Sequence, residues 1–227
     1  MNKYYIGIID EDQGEILDIK RTILINKPET IAEDLIQFVD YPLPSIAATL
    51  SKEMSDTVIK DIITGTIHIL IVDYRIIVES TCIEGTEIFQ RISSLVPKFP
   101  TIILTNVPED CYKPFVDADK VYAKRSFFKI EESYSREKTL NIFRNIENYR
   151  QQRASLTATL SEQLLKLETQ GYSPDVYQHI ISLEKTLGDY LPQEQTTVER
   201  DMDLSELRDA VDLLKEAQRI LGDGDEN

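Results

Sequence analysis

The chain has 227 residues, of which 40 are acidic and 25 basic, for a formal net charge of −15. A field of that sign repels a phosphate backbone, and with no Lys/Arg-rich helix in the sequence it argues against direct nucleic-acid binding. The 41% apolar and 29% charged content is that of a globular chain, and no stretch approaches the roughly 20 consecutive apolar residues of a membrane-spanning helix.

Met1-Asn2-Lys3-Tyr4-Tyr5 enters an extended segment without the apolar region and small-residue cleavage site of a signal peptide, so a cytoplasmic location is expected. Cys82 and Cys111 have neither CxxC spacing nor a nearby His, which reads as two reduced, incidental thiols.

The first strand spans Tyr4 to Ile9 and ends on Asp10-Glu11-Asp12. Ile16, Ile19, Lys20 and Ile23 then recur at helical spacing, predicting a helix from Gln13 to about Leu24 that Asn26-Lys27-Pro28 interrupts. Thr30 to Ile36 reads as a short helical piece and Phe38-Val39-Asp40-Tyr41 as a second strand. Leu50, Met54, Val58 and Ile62 recur every fourth residue and predict a second helix, with a fresh N-cap and a break at Ser55-Asp56 and a stop at Gly65.

His68-Ile69-Leu70-Ile71-Val72-Asp73 is an unbroken apolar run ending on a carboxylate, the pattern of a central parallel strand covered on both faces. A loop over 74–84 follows. Pro97 and Pro100 bracket the turn into Thr101 to Leu104, which ends on Thr105, and Val121 to Ala123 ends on Lys124. In an open parallel sheet the carboxyl ends of the strands border the ligand crevice, so these terminal residues are expected to converge on one site.

The order acidic pair, lone Asp, Thr, Lys, each at a strand end, resembles the receiver domain of two-component response regulators. Ile83-Glu84-Gly85-Thr86-Glu87-Ile88-Phe89 is similar to the acid-Gly stretch that opens the third receiver helix. The resemblance implies a flavodoxin-like, doubly wound α/β fold over residues 1–150, with a five-stranded parallel sheet of order 2-1-3-4-5. It implies a signalling protein that accepts a phosphoryl group on Asp73 from a histidine kinase or phosphotransfer protein, with Thr105 and Lys124 as switch residues. Mg²⁺ would be held by Asp10, Glu11 and Asp73, with Asp12 as an additional acid; Glu11 and Asp73 would be its direct ligands. Such a protein is a switch and not a turnover enzyme.

Asn106, Val121 and Arg125 depart from the family pattern beside Thr105, in the last strand and beside Lys124. They leave open a degenerate receiver that serves as a phosphorylation-independent interaction module. Asp10-Glu11-Asp12 also resembles the Asp-x-Asp motif of haloacid-dehalogenase-type phosphatases, although the sequence after Lys124 lacks their second acidic pair and Asp73 would have no role.

From Arg136 the pattern changes. Ile142, Ile146, Tyr149, Arg153, Leu156, Leu160, Gln163 and Leu167 fall at steps of four and three, a heptad seam with polar interruptions, so the helix closing the receiver-like part is expected to continue to about Gln170. Gly171 caps it and Ser173-Pro174 restarts the chain, with a second seam at Val176, Ile180, Leu183 and Leu187 and a third at Leu204, Leu207, Val211, Leu214 and Leu221. Residues 151–227 are thus a coiled-coil or helical-bundle region with an acidic tail. It is expected to bind an effector protein or a second copy of the chain.

Overall fold

Isoleucine and valine dominate the extended segments, as strands covered on both faces require. The computed structural model describes residues 3–43, 47–78, 81–111, 113–171 and 173–191, all within one compact unit, Met1–Pro192. In chain order the elements begin with β1 (Tyr4–Ile9), α1 (Gln13–Asn26), β2 (Ile36–Asp40), α2 (Ala47–Thr64) and β3 (Ile69–Asp73). They continue with β4 (Arg75–Val78), β5 (Thr81–Glu84), α3 (Gly85–Leu95), β6 (Thr101–Thr105) and β7 (Val121–Ala123). Three helices follow: α4 (Lys124–Phe127), α5 (Ser133–Gln170) and α6 (Pro174–Gly188). The predicted linker from Pro192, the third seam at Leu204 to Leu221 and the acidic tail lie outside the described residues.

Five strands form one parallel sheet of order β2-β1-β3-β6-β7. With the long helical C-terminal region this is an α/β architecture consistent with a flavodoxin-like fold. In chain-order numbering the sheet runs 2-1-3-6-7, the numbers 4 and 5 falling to β4 and β5, which pair with each other, antiparallel, as a separate two-stranded sheet. That hairpin replaces the loop expected over 74–84. In β4 burial alternates, with Ile76 and Val78 buried and Arg75 and Ile77 exposed, and Ile83 of β5 is buried beside them.

One face of the sheet, Ile6, Ile8, Ile69, Ile71, Ile102 and Leu104, packs on Ile16, Ile19 and Ile23 of α1 and on Ile142, Phe143 and Ile146 of α5. The other face, with Ile9, Leu70 and Val72, packs on Met54, Val58 and Ile62 of α2 and on Ile88 and Ile92 of α3. Each such side chain contributes about 1.5–3 kcal/mol on burial, enough to override weaker local signals. The break expected at Ser55-Asp56 is absent: α2 is continuous and Ser55 is fully buried within it. The helical piece expected over Thr30 to Ile36 is a single 3₁₀ turn, Glu33–Leu35.

Helix α5 has 38 residues, about 57 Å at 1.5 Å per residue. Its first half lies on the sheet, and its second half carries the seam onto α6. Gly171, at φ +80°, ends it in a conformation that glycine adopts at little cost. Helix α6 returns antiparallel: the Tyr149 hydroxyl donates to the Tyr190 carbonyl at 2.8 Å and the two rings stack with centroids 5.8 Å apart. Among the described residues no helix is long and apolar enough to cross a membrane.

Candidate functional site

The register of the sheet brings several polar residues to one edge. Ile9 lies opposite Val72, Asp73 opposite Leu104, and Thr105 opposite Ala123, so the residues that end or follow β1, β3, β6 and β7 share the carboxyl rim. Asp10, Glu11 and Asp73 offer carboxylate oxygens that all lie within 4.8 Å of one another. Lys124 enters the same cluster from the start of α4. Its ammonium is 2.6 Å from Asp73 Oδ1 and 3.1 Å from Asp10 Oδ2, and it also donates to Glu15 Oε2 from the first turn of α1.

The second oxygens of the two aspartates are held by backbone. Asp12 N–H donates to Asp10 Oδ1 at 2.9 Å, and Arg75 N–H, at the start of β4, donates to Asp73 Oδ2 at 3.1 Å. Gly85 allows this geometry: a Cβ there would lie 2.1 Å from the Asp73 carbonyl oxygen, and its N–H donates to the Tyr74 carbonyl at 2.7 Å. Only a residue without a side chain lets α3 start against the end of β3.

Asp10, Asp73, Thr105 and Lys124 are all buried. Burial pushes Asp10 up to about 6, and it raises Asp73 and Glu11 as well. For Lys124, burial pulls the pKa down, but Asp73, Glu15 and Asp10 outweigh it and hold the ammonium above its ordinary value. Four carboxylates therefore face one lysine, and the cluster is short of positive charge.

The donor set fits a divalent cation. Hard carboxylate oxygens suit such an ion, the anionic excess favours it, and Glu11 Oε2 is buried without a hydrogen-bond partner, an atom that a cation would satisfy.

Two of the expected site residues are placed differently from the rest. The Thr105 hydroxyl accepts from Val107 N–H at 3.0 Å and lies in hydrogen-bond contact with the Cys111 thiol; it sits on the rim without a direct bond to the carboxylates. Asp12, expected as an additional acid, is the N-cap of α1 and accepts from Gly14 N–H at 2.7 Å and Glu15 N–H at 3.4 Å. Capping satisfies backbone donors that the helix leaves open, a role worth about 1 kcal/mol.

Glu15 is the site residue that sequence reading missed. Its signal was the phase of α1: Glu15, Ile19, Thr22 and Asn26 share one stripe, and the last three are buried. Compared with protein-family models and with curated proteins, the chain matches none.

Proposed function

We propose that this chain is a receiver-type signalling protein in which Asp73 accepts a phosphoryl group and the C-terminal helices carry the change to a protein partner. The observation that carries the reading is Lys124 bridging Asp73 and Asp10, with Glu11 alongside, on the carboxyl rim of a parallel sheet. The donor is a histidine kinase or phosphotransfer protein, and a small acyl phosphate substitutes for it in vitro.

A carboxylate oxygen of Asp73 attacks phosphorus, forming an aspartyl-phosphate while the donor's bond to phosphorus breaks; from acetyl phosphate the leaving group is acetate, which keeps the electron pair. Glu11 and Asp73, with Asp10 beside them, would hold Mg²⁺. When bound, this ion supplies positive charge to the phosphoryl oxygens. Lys124 balances the negative charge on the transferred group. Thr105, whose oxygen accepts from Val107, would turn its hydroxyl proton from the Cys111 thiol to a phosphoryl oxygen. Product stays on the protein, so the chain is a switch and not a turnover enzyme.

The phosphatase reading asks Asp12 to act with Asp10, whereas Asp12 is engaged in capping α1. The phosphorylation-independent interaction module draws on a different observation, that Thr105 and Lys124 already have partners within the protein.

Incubation with Mg²⁺ and beryllofluoride or acetyl phosphate decides between these readings. An adduct is expected at Asp73; Asp73→Asn abolishes it, and Glu11→Ala weakens metal affinity in a titration. A folded protein that takes no adduct from any donor favours the interaction module.

A further inference from the structure

Lys124 has no free donor. An ammonium carries three N–H groups, and three carboxylate oxygens meet it: Asp10 Oδ2, Asp73 Oδ1 and Glu15 Oε2. A phosphoryl oxygen that is to be held by Lys124 must displace one of them. Asp10 is fixed, since its side chain is 1% exposed and its other oxygen accepts from Asp12 N–H. Asp73 is the acceptor itself: Oδ2 forms the bond to phosphorus, and Oδ1 keeps its contact with Lys124. Glu15 differs from both. It stands on the rim with its side chain 31% exposed, and rotation about its side-chain torsions carries the carboxylate into water, where an anion is well solvated.

We infer that Glu15 is an internal competitor for the phosphoryl group: its carboxylate occupies Lys124 in the resting protein and must swing out when Asp73 is modified. This rests on the phosphorylation reading and adds to it a residue that sets how readily the site accepts an anion. Glu15 is thereby a positioning residue acting through Lys124. Its place on α1 makes the setting adjustable, because any movement of the first turn of α1 alters the hold of Glu15 on the ammonium.

The test uses the full chain and the variants Glu15→Gln and Glu15→Asp with Mg²⁺, measuring beryllofluoride affinity and the rate of phosphorylation by acetyl phosphate. Glu15→Gln removes the charge while keeping the side-chain length. It should bind the anion and accept the phosphoryl group about five-fold more readily, the upper end of what a partly exposed ion pair contributes. Glu15→Asp, with a shorter reach to Lys124, should fall between the two. A gain of this kind cannot come from structural damage, which would lower both readouts.

The control is Asp18→Asn, which removes an equal charge from an exposed position further along α1 and should leave both readouts unchanged. Adducts that form equally in all three proteins overturn the competitor role alone, as does an equal gain in Asp18→Asn, which would be a long-range charge effect. Absence of any adduct in all three proteins overturns the phosphorylation reading, and the competitor role with it.

Discussion

At the scale of single residues, burial decides which groups stay neutral. His68 precedes β3, and its Nδ1 accepts from Tyr5 N–H at 3.2 Å. Burial, with Arg150 and Arg153 nearby, lowers its pKa from 6.5 to about 4. The folded value lies below the unfolded one, so the stabilisation is complete above about 6.5 and is lost as the pH falls through about 4. Asp10, held up at about 6, gains stability with acid over the same window, so the His68 contribution is read by urea denaturation as a difference between two proteins. His68→Asn keeps an acceptor but does not titrate, and the wild type should lose stability relative to it as the pH falls from about 6.5 to about 4; parallel profiles for the two proteins would contradict a buried neutral His68. Asp10, Asp73 and Lys124 were legible in the sequence because each stands where an apolar run stops. Glu15 and the capping role of Asp12 were not, since they depend on the phase at which α1 begins.

At the scale of elements, the parallel strands could be read from their unbroken apolar runs, whereas the β4–β5 hairpin could not. Ile76 and Val78 alternate with Arg75 and Ile77 over too few residues to separate a short strand from a loop. The packing of the hairpin and α3 on the end of β3 explains Gly85. Gly85→Ala would drive a methyl group into the Asp73 carbonyl, so either α3 or the end of β3 must shift. The expected cost is about 1–3 kcal/mol in chemical denaturation, with a fall in adduct formation at Asp73 because the carboxylate moves with its backbone. Unchanged stability together with unchanged adduct formation would contradict the close approach. Ser55 teaches the converse lesson: a capping residue in the sequence does not break a helix whose apolar face is already committed to the sheet.

At the scale of the molecule, α5 links the sheet to the helical region without interruption. The continuous helix was legible from its heptad spacing. The spacing alone could not say what fills the seam, because intramolecular and intermolecular partners demand the same residues. Along 151–170 that seam faces α6, and Leu164, Leu165 and Ile181 remain exposed on the helical pair. The proposed association, with a second copy or with an effector, has these side chains available to it. If the chain dimerises through them, sedimentation should give a dimer for the full chain and a monomer for the Leu165→Glu, Ile181→Glu double variant at unchanged thermal stability. Identical sedimentation of the two would remove this surface from the account.

Acceptance of a phosphoryl group by Asp73, with the help of the residues around it, is the proposal on which the function rests. Intact-mass measurement of the full chain after incubation with acetyl phosphate and Mg²⁺ tests it most directly. A mass gain of one phosphoryl group is expected, absent from Asp73→Asn and reduced in Lys124→Met. An unmodified mass for the folded wild-type protein, or a gain that persists in Asp73→Asn, would contradict it.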